Sequence, residues 1–179
     1  LQHPENTKYA YLILRHSAQT LLAPQEYDLK DFIMPVDEDV RGSFAESVQT
    51  LQGLVFILDD NIELAKQQFQ SVLDKPDNPM SKTSSQLYLL QIALIEGDNK
   101  KAEEYASIRG VKSFLSIKTA DMQVIQAWYQ FKVRKDVVQT HKAMKIARHK
   151  MNSSRMLRDE KIYYQNWLAE LEKELTEGV

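Results

Sequence analysis

One spacing recurs along this chain and leaves room for little but paired helices. Gly53 and Phe56 are followed by the break Asp59-Asp60-Asn61, and then by Ala65, Phe69, Val72 and Pro76. Small residues on either side of a break let two helices cross closely, and the aromatics fill the space beside the crossing. Gly97-Asp98-Asn99 puts a second break just before Ala102 on another amphipathic stretch. A third passage runs from Trp128 and Phe131, through Arg134-Lys135-Asp136, to Met144 and Ala147. Aligning the residue after each break pairs Ala65, Ala102 and Thr140, which are 37 and 38 positions apart.

Over roughly residues 43–151 this pattern resembles the tetratricopeptide family, whose helix–turn–helix unit repeats every ~34 residues. The few extra residues per step have a home in the loops 75–81 and 108–120. The resemblance is uneven, since Leu90 and Ala93 stand where the first copy has Gly53 and Phe56, and the third copy has no alanine after its break. It implies an all-α, right-handed helical-hairpin solenoid, closed by a C-terminal capping helix with one polar side. Stacked hairpins of this kind bind other proteins rather than catalyse, so the expected function is a scaffold or adaptor within a protein complex.

Composition agrees with helices. The chain has 179 residues, enough for one domain with a core, and only five glycines and five prolines. With no cysteine it can form no disulfide, thiolate zinc site or thiol nucleophile, which suits a reducing compartment, cytoplasmic or nuclear. No apolar run reaches the ~18 residues of a membrane span, and the N-terminus does not read as a signal peptide. The chain starts at Leu1 rather than Met, so it reads as a piece or processed product of a longer subunit.

Three parts are expected. Residues 1–40 hold a helix ending before Pro24, with Ala10, Leu14, Ala18, Leu21 and Leu22 on its apolar face, and then a proline-containing arm. Tyr27, Leu29, Phe32, Ile33 and Met34 make that arm too apolar for a free linker. Residues 41–152 hold three hairpins, pairing 42–58 with 62–73, 84–95 with 99–108, and 121–133 with 136–151. Asp60 or Asn61 suits the N-cap of the second of these helices. Residues 153–179 hold the capping helix, started by Ser153 or Ser154, with Tyr164, Trp167, Leu168, Leu171 and Leu175 on one face.

Catalytic chemistry is sparse. Arg15-His16 echoes the Arg-His-Gly signature of histidine phosphatases, but Ser17 replaces the glycine and the flanks read as helix. His141 and His149 point about 80° apart on one helix, which rules out a shared metal, and His141 falls beside Val137, Val138 and Met144 on an apolar face. Neither a phosphate loop nor EF-hand spacing is present, so no catalytic residue, metal, cofactor or small-molecule substrate is expected.

Charge is uneven. Between Lys132 and Lys161 ten Lys or Arg face three acids, a net of +7 in a chain whose total is −2. Lys142, Lys145 and His149, with Arg148 alongside, form one stripe on a helix, suited either to an acidic protein partner or to the chain's own acidic half. Aromatics do not interleave with these bases, which disfavours nucleic acid.

In the tetratricopeptide arrangement the first helix of each hairpin lines a concave groove. Projected here, that face carries Tyr88, Gln91, Gln126 and Tyr129 as partner-binding residues, in an apolar groove suited to a peptide or amphipathic helix. Thr50 and Leu54 stand where relatives that grip a terminal carboxylate carry Lys and Asn, so that clamp is absent. The groove could equally be closed by the chain's own first helix or arm. Two rival readings stay open: a peptide- or ligand-sensing repeat domain of a regulatory protein, and a hydrolase built on Arg15 and His16.

Overall fold

Turn chemistry sets the helix boundaries. The computed structural model describes residues 4–36, 42–74, 78–153 and 155–177, and within them the chain is all-α, with no strand. Nine α-helices follow in order: α1 Pro4–Leu22, α2 Ser43–Leu58, α3 Ile62–Asp74, α4 Pro79–Ile95, α5 Asn99–Ser107, α6 Arg109–Leu115, α7 Ala120–Tyr129, α8 Val137–Ser153 and α9 Arg158–Glu177. Short 3-10 turns at Pro24–Glu26 and Leu29–Phe32 shape the arm, and a π-turn at Gln130–Arg134 extends α7.

The three hairpins, α2/α3, α4/α5 and α7/α8, close in one way. Each first helix ends on a left-handed residue, Asp60 (φ 58), Gly97 (φ 73) or Lys135 (φ 54). The next residue's N–H then returns to an orphan carbonyl, Asn61 to Phe56 at 2.7 Å, Asp98 to Ala93 at 2.9 Å and Asp136 to Gln130 at 3.0 Å. The third bond spans one residue more because the π-turn inserts one. Ala65, Ala102 and Thr140 each follow five residues after the left-handed position, and each is 0% exposed. Thr140 replaces alanine without stranding its hydroxyl, which donates to Asp136 O at 2.7 Å.

The first crossing is the tightest. Gly53 lies so close to Phe69 that a Cβ there would fall 2.4 Å from the ring, and Phe69 and Ala65 are fully buried against Ile57, Leu89 and Ile92. Where the sequence suggested a loop at 108–120, the structure forms α6. Its glycine, Gly110, abuts Thr83 of α4, and Val111 and Leu115 enter the core, so the insertion is a packed helix. Pro79 begins α4 earlier than expected, with Asn78 accepting from Met80 N at 2.9 Å. Pro76, the acids at 37–39 and Ser154 lie outside the described residues.

The first helix packs on a different face from the one expected. Tyr9, Leu12 and Ile13 meet Ala45 and Val48 of α2, whereas Leu14, Leu21 and Leu22 are exposed, Leu22 at 81%. Apolar residues surround α1, so periodicity alone could not choose between its faces. The arm folds back as its composition required, with Leu29 and Phe32 fully buried against Leu54, Val55 and Leu157. Asp28 and Arg158 pair through two 2.8 Å bonds, Arg158 N donates to Tyr27 O at 2.9 Å, and Gln25 Nε2 donates to Met156 O at 2.8 Å. The arm is thereby fastened to the start of α9.

Helix α9 buries Tyr164, Trp167, Leu168 and Leu171, the apolar face read from sequence, but Ser153 belongs to α8 and the last helix starts at Arg158. Glu160 accepts from Leu157 N at 3.0 Å and so serves the first turn of α9. Contacts with α2, α7 and α8, and hydrogen bonds to Gln91 of α4, carry α9 past the first helices of all three hairpins.

Candidate functional site

The expected groove lies along α2, α4 and α7, and the chain's own segments fill it. Trp167 of α9 stacks on Trp128 of α7 at 5.4 Å, and the Trp128 indole N–H donates to Trp167 O at 3.1 Å. On α4, Gln91 is 0% exposed. Its amide oxygen accepts from the Tyr164 hydroxyl at 3.1 Å, and its amide nitrogen donates to Tyr163 at 3.4 Å. Burial raises both tyrosine pKa values, Tyr163 to about 12, so both hydroxyls stay protonated as this network needs. Nearer the arm, Tyr88 stacks on Phe69 at 5.4 Å, packs beside Leu29, Phe32 and Leu157, and has its hydroxyl pKa driven far up by burial.

Tyr88 and Gln91 therefore do not face an open groove: Gln91 is sealed beneath α9, and Tyr88 is wedged between the first hairpin and the arm. Thr50 and Leu54 are buried as well. Nothing in the local pattern of α4 reveals this, because a residue facing a partner and a residue facing α9 occupy the same helical positions.

Gln126 and Tyr129 lie elsewhere. Both line an open cleft of about 500 Å³ among α5, α6 and α7, whose wall includes Glu103, Leu115, Ser116 and Arg134. The Tyr129 hydroxyl donates to Glu103 at 2.7 Å, and burial together with that carboxylate pushes its pKa up to about 12. Arg134 reaches the same carboxylate at 3.3 Å. Leu115, Ser116 and Gln126 also line a smaller hollow of about 180 Å³, shared with Gln139, Lys142 and Ile146. The structure thus joins Gln126, Tyr129 and Lys142 on one continuous surface, through an inserted helix that the sequence did not reveal.

The basic stripe is partly neutralised. Arg148 donates to Glu172 of α9 at 2.8 Å, Lys132 pairs with Glu174, and Arg158 pairs with Asp28. Lys142 and Lys145 are exposed and make no ion pair among the described residues.

The described histidines lie apart, His16 on α1 and His141 and His149 on α8. Arg15 and His16 both flank the Phe32 ring, at 5.1 Å and 5.5 Å, and burial lowers the His16 pKa. His141 is exposed, with Nδ1 2.8 Å from Val137 O, and Val137 and Val138 are also exposed, which corrects the expectation of a core histidine. Among the described residues no group of three His, Asp or Glu side chains could hold a metal ion, and no helix is long and apolar enough to cross a membrane. Compared with protein-family models, curated proteins and solved structures, the chain matches none.

Proposed function

We propose that this chain is a non-catalytic protein-interaction module of tetratricopeptide-like architecture, a scaffold or adaptor that receives its partner on the surface of α5 to α8. The observation that carries the reading is the union of Gln126, Tyr129 and Lys142 across two adjoining open clefts. Tyrosine and glutamine at a cleft offer broad contact area with hydrogen-bonding tips, the composition of a protein-docking surface. Three hairpins with one shared turn, each crossing at a buried small residue, support the solenoid part of the reading. The groove that solenoids commonly use holds α9, so the partner is assigned to the outer clefts instead. Lys142 and Lys145, which make no ion pair among the described residues, suit a partner with an acidic rim and would act mainly on its rate of association.

The test compares wild type with a Gln126→Ala/Tyr129→Ala variant and with a Lys142→Glu/Lys145→Glu variant in quantitative affinity capture, alongside thermal melting. The first variant should lose the partner, and the second should slow its association and flatten the dependence on salt, with melting nearly unchanged in the charge variant. Undiminished capture by both variants would overturn this assignment of the surface.

A further inference from the structure

A separate cleft of about 450 Å³ opens where the α6–α7 link, the end of α8, the α8–α9 link and the side of α1 meet. Three cations converge on it from three segments: Lys118 from the α6–α7 link, Lys150 from the last turn of α8 and Arg155 from the α8–α9 link. None of the three forms an ion pair among the described residues, as is also true of Lys142 and Lys145, whereas Lys132, Arg134, Arg148 and Arg158 each reach an acid. Unshared positive charge gathered at a concavity is the electrostatic condition for an anionic ligand.

We propose that this cleft binds a small organic phosphate monoester. Charge supports a dianion. Three cations outnumber the carboxyls of Asp121 and Glu160, burial pushes the Glu160 pKa up to about 8, and burial lowers the His16 pKa, so the balance of charge in the cleft is positive. Hydrogen bonding suits a phosphate. Arg155 offers a planar fork and the two lysines offer point charges, a donor set that matches a group with several oxygens rather than one. Thr119 adds a donor, because it stands at the N-cap of α7 without making a side-chain capping bond. Size and lining suit an organic body. The volume lies within the ~300–1,000 Å³ of small-molecule sites. Met156, Ala120 and the His16 ring give apolar walls to the same space.

The cleft is held in shape before any ligand arrives. Met156 O is bonded to Gln25, and Arg158 N to Tyr27 O, which fastens the residues that follow Arg155. His16 is braced edge-on against the buried Phe32. Preformed walls reduce the ordering cost of binding, and a ligand here would bridge α1, α7, α8 and the start of α9.

Calorimetric titration at low salt tests the proposal, with adenosine 5′-monophosphate as the monoester probe, inorganic phosphate as the bare anion and adenosine as the body without charge. The monoester should bind more tightly than phosphate, and adenosine should not bind. Lys118→Ala, Lys150→Ala and Arg155→Ala should each weaken the monoester by roughly tenfold, the loss expected for one charge-assisted hydrogen bond. Lys82→Ala and Lys100→Ala remove equal charge from exposed positions outside the cleft and should leave binding as it was. Phosphate binding as tightly as the monoester would overturn the organic body. No heat from either anion at millimolar concentration, or equal losses in the Lys82 and Lys100 variants, would overturn the site. Thermal melting of each variant separates lost binding from lost folding.

Discussion

Replacing Gly53 by alanine tests the first hairpin crossing directly. At an open position in a helix this change should stabilise by ~1 kcal/mol, because alanine has the higher helix propensity. Here the added Cβ would fall 2.4, 2.7 and 2.9 Å from three carbons of the Phe69 ring. Carbon atoms are comfortable at ~3.5–4.0 Å, so the ring or the backbone must move by about 1 Å. The ring has nowhere to go, since it is 0% exposed and stacked on Tyr88 at 5.4 Å. Overpacking of this kind costs ~1–3 kcal/mol, and after the propensity gain a net loss of up to ~2 kcal/mol remains. In a domain of this length that is a melting point lower by up to about 8 °C. Urea and thermal unfolding would measure it. A double-mutant cycle sharpens the result. Phe69→Ala alone should cost ~3–5 kcal/mol through the cavity it leaves. In that background Gly53→Ala should become stabilising, because the obstructing ring is gone and the methyl enters empty space. A Gly53→Ala protein that is more stable than wild type would refute the close crossing, and with it the register assigned to the hairpin.

Two further outcomes follow from the interior. Glu160 has a folded pKa of about 8 against an ordinary 4.5, so the native state keeps a proton that the unfolded chain releases. Its contribution is most favourable below the unfolded pKa, declines as pH rises from about 4.5 to about 8, and then levels off, with a total decline of roughly 1–4 kcal/mol. Glu160→Gln keeps an acceptor for Leu157 N and should flatten that decline; urea midpoints at pH 5 and pH 9 that shift in parallel for both proteins would contradict it. Tyr164→Phe deprives the buried Gln91 carbonyl oxygen of its donor and should cost ~1–3 kcal/mol, while Gln91→Leu/Tyr164→Phe should recover part of that loss by removing both polar partners. An unchanged unfolding midpoint in Tyr164→Phe would mean that the hydrogen bond is not made in solution.

Local sequence determined the three helical hairpins and the breaks inside them. The runs ending at Asp60, Gly97 and Lys135 stop where a left-handed residue closes the turn, and the small residue five positions later is buried in all three copies, as the alignment of Ala65, Ala102 and Thr140 required. These features depend on neighbours a few residues away, so they can be read from spacing alone. The apolar face of α9 and the inward folding of the arm were legible for the same reason. Tertiary structure decided what each face meets. Helical periodicity marks a position as apolar or polar, but a residue awaiting a partner and one beneath the chain's own helix carry the same mark. Tyr88 and Gln91 of α4 therefore read as groove residues, although Gln91 lies under α9 and Tyr88 is wedged between Phe69 and the arm. On α1, where Tyr9, Leu12 and Ile13 compete with Leu14, Leu21 and Leu22, only the shape of α2 selects the side that packs. The two clefts depend on still longer range. Lys118, Lys150 and Arg155 on one, and Gln126, Tyr129 and Lys142 on the other, are brought together by the insertion of α6 and by the return of α9 across the stack, contacts between segments too far apart in sequence for any local pattern to encode.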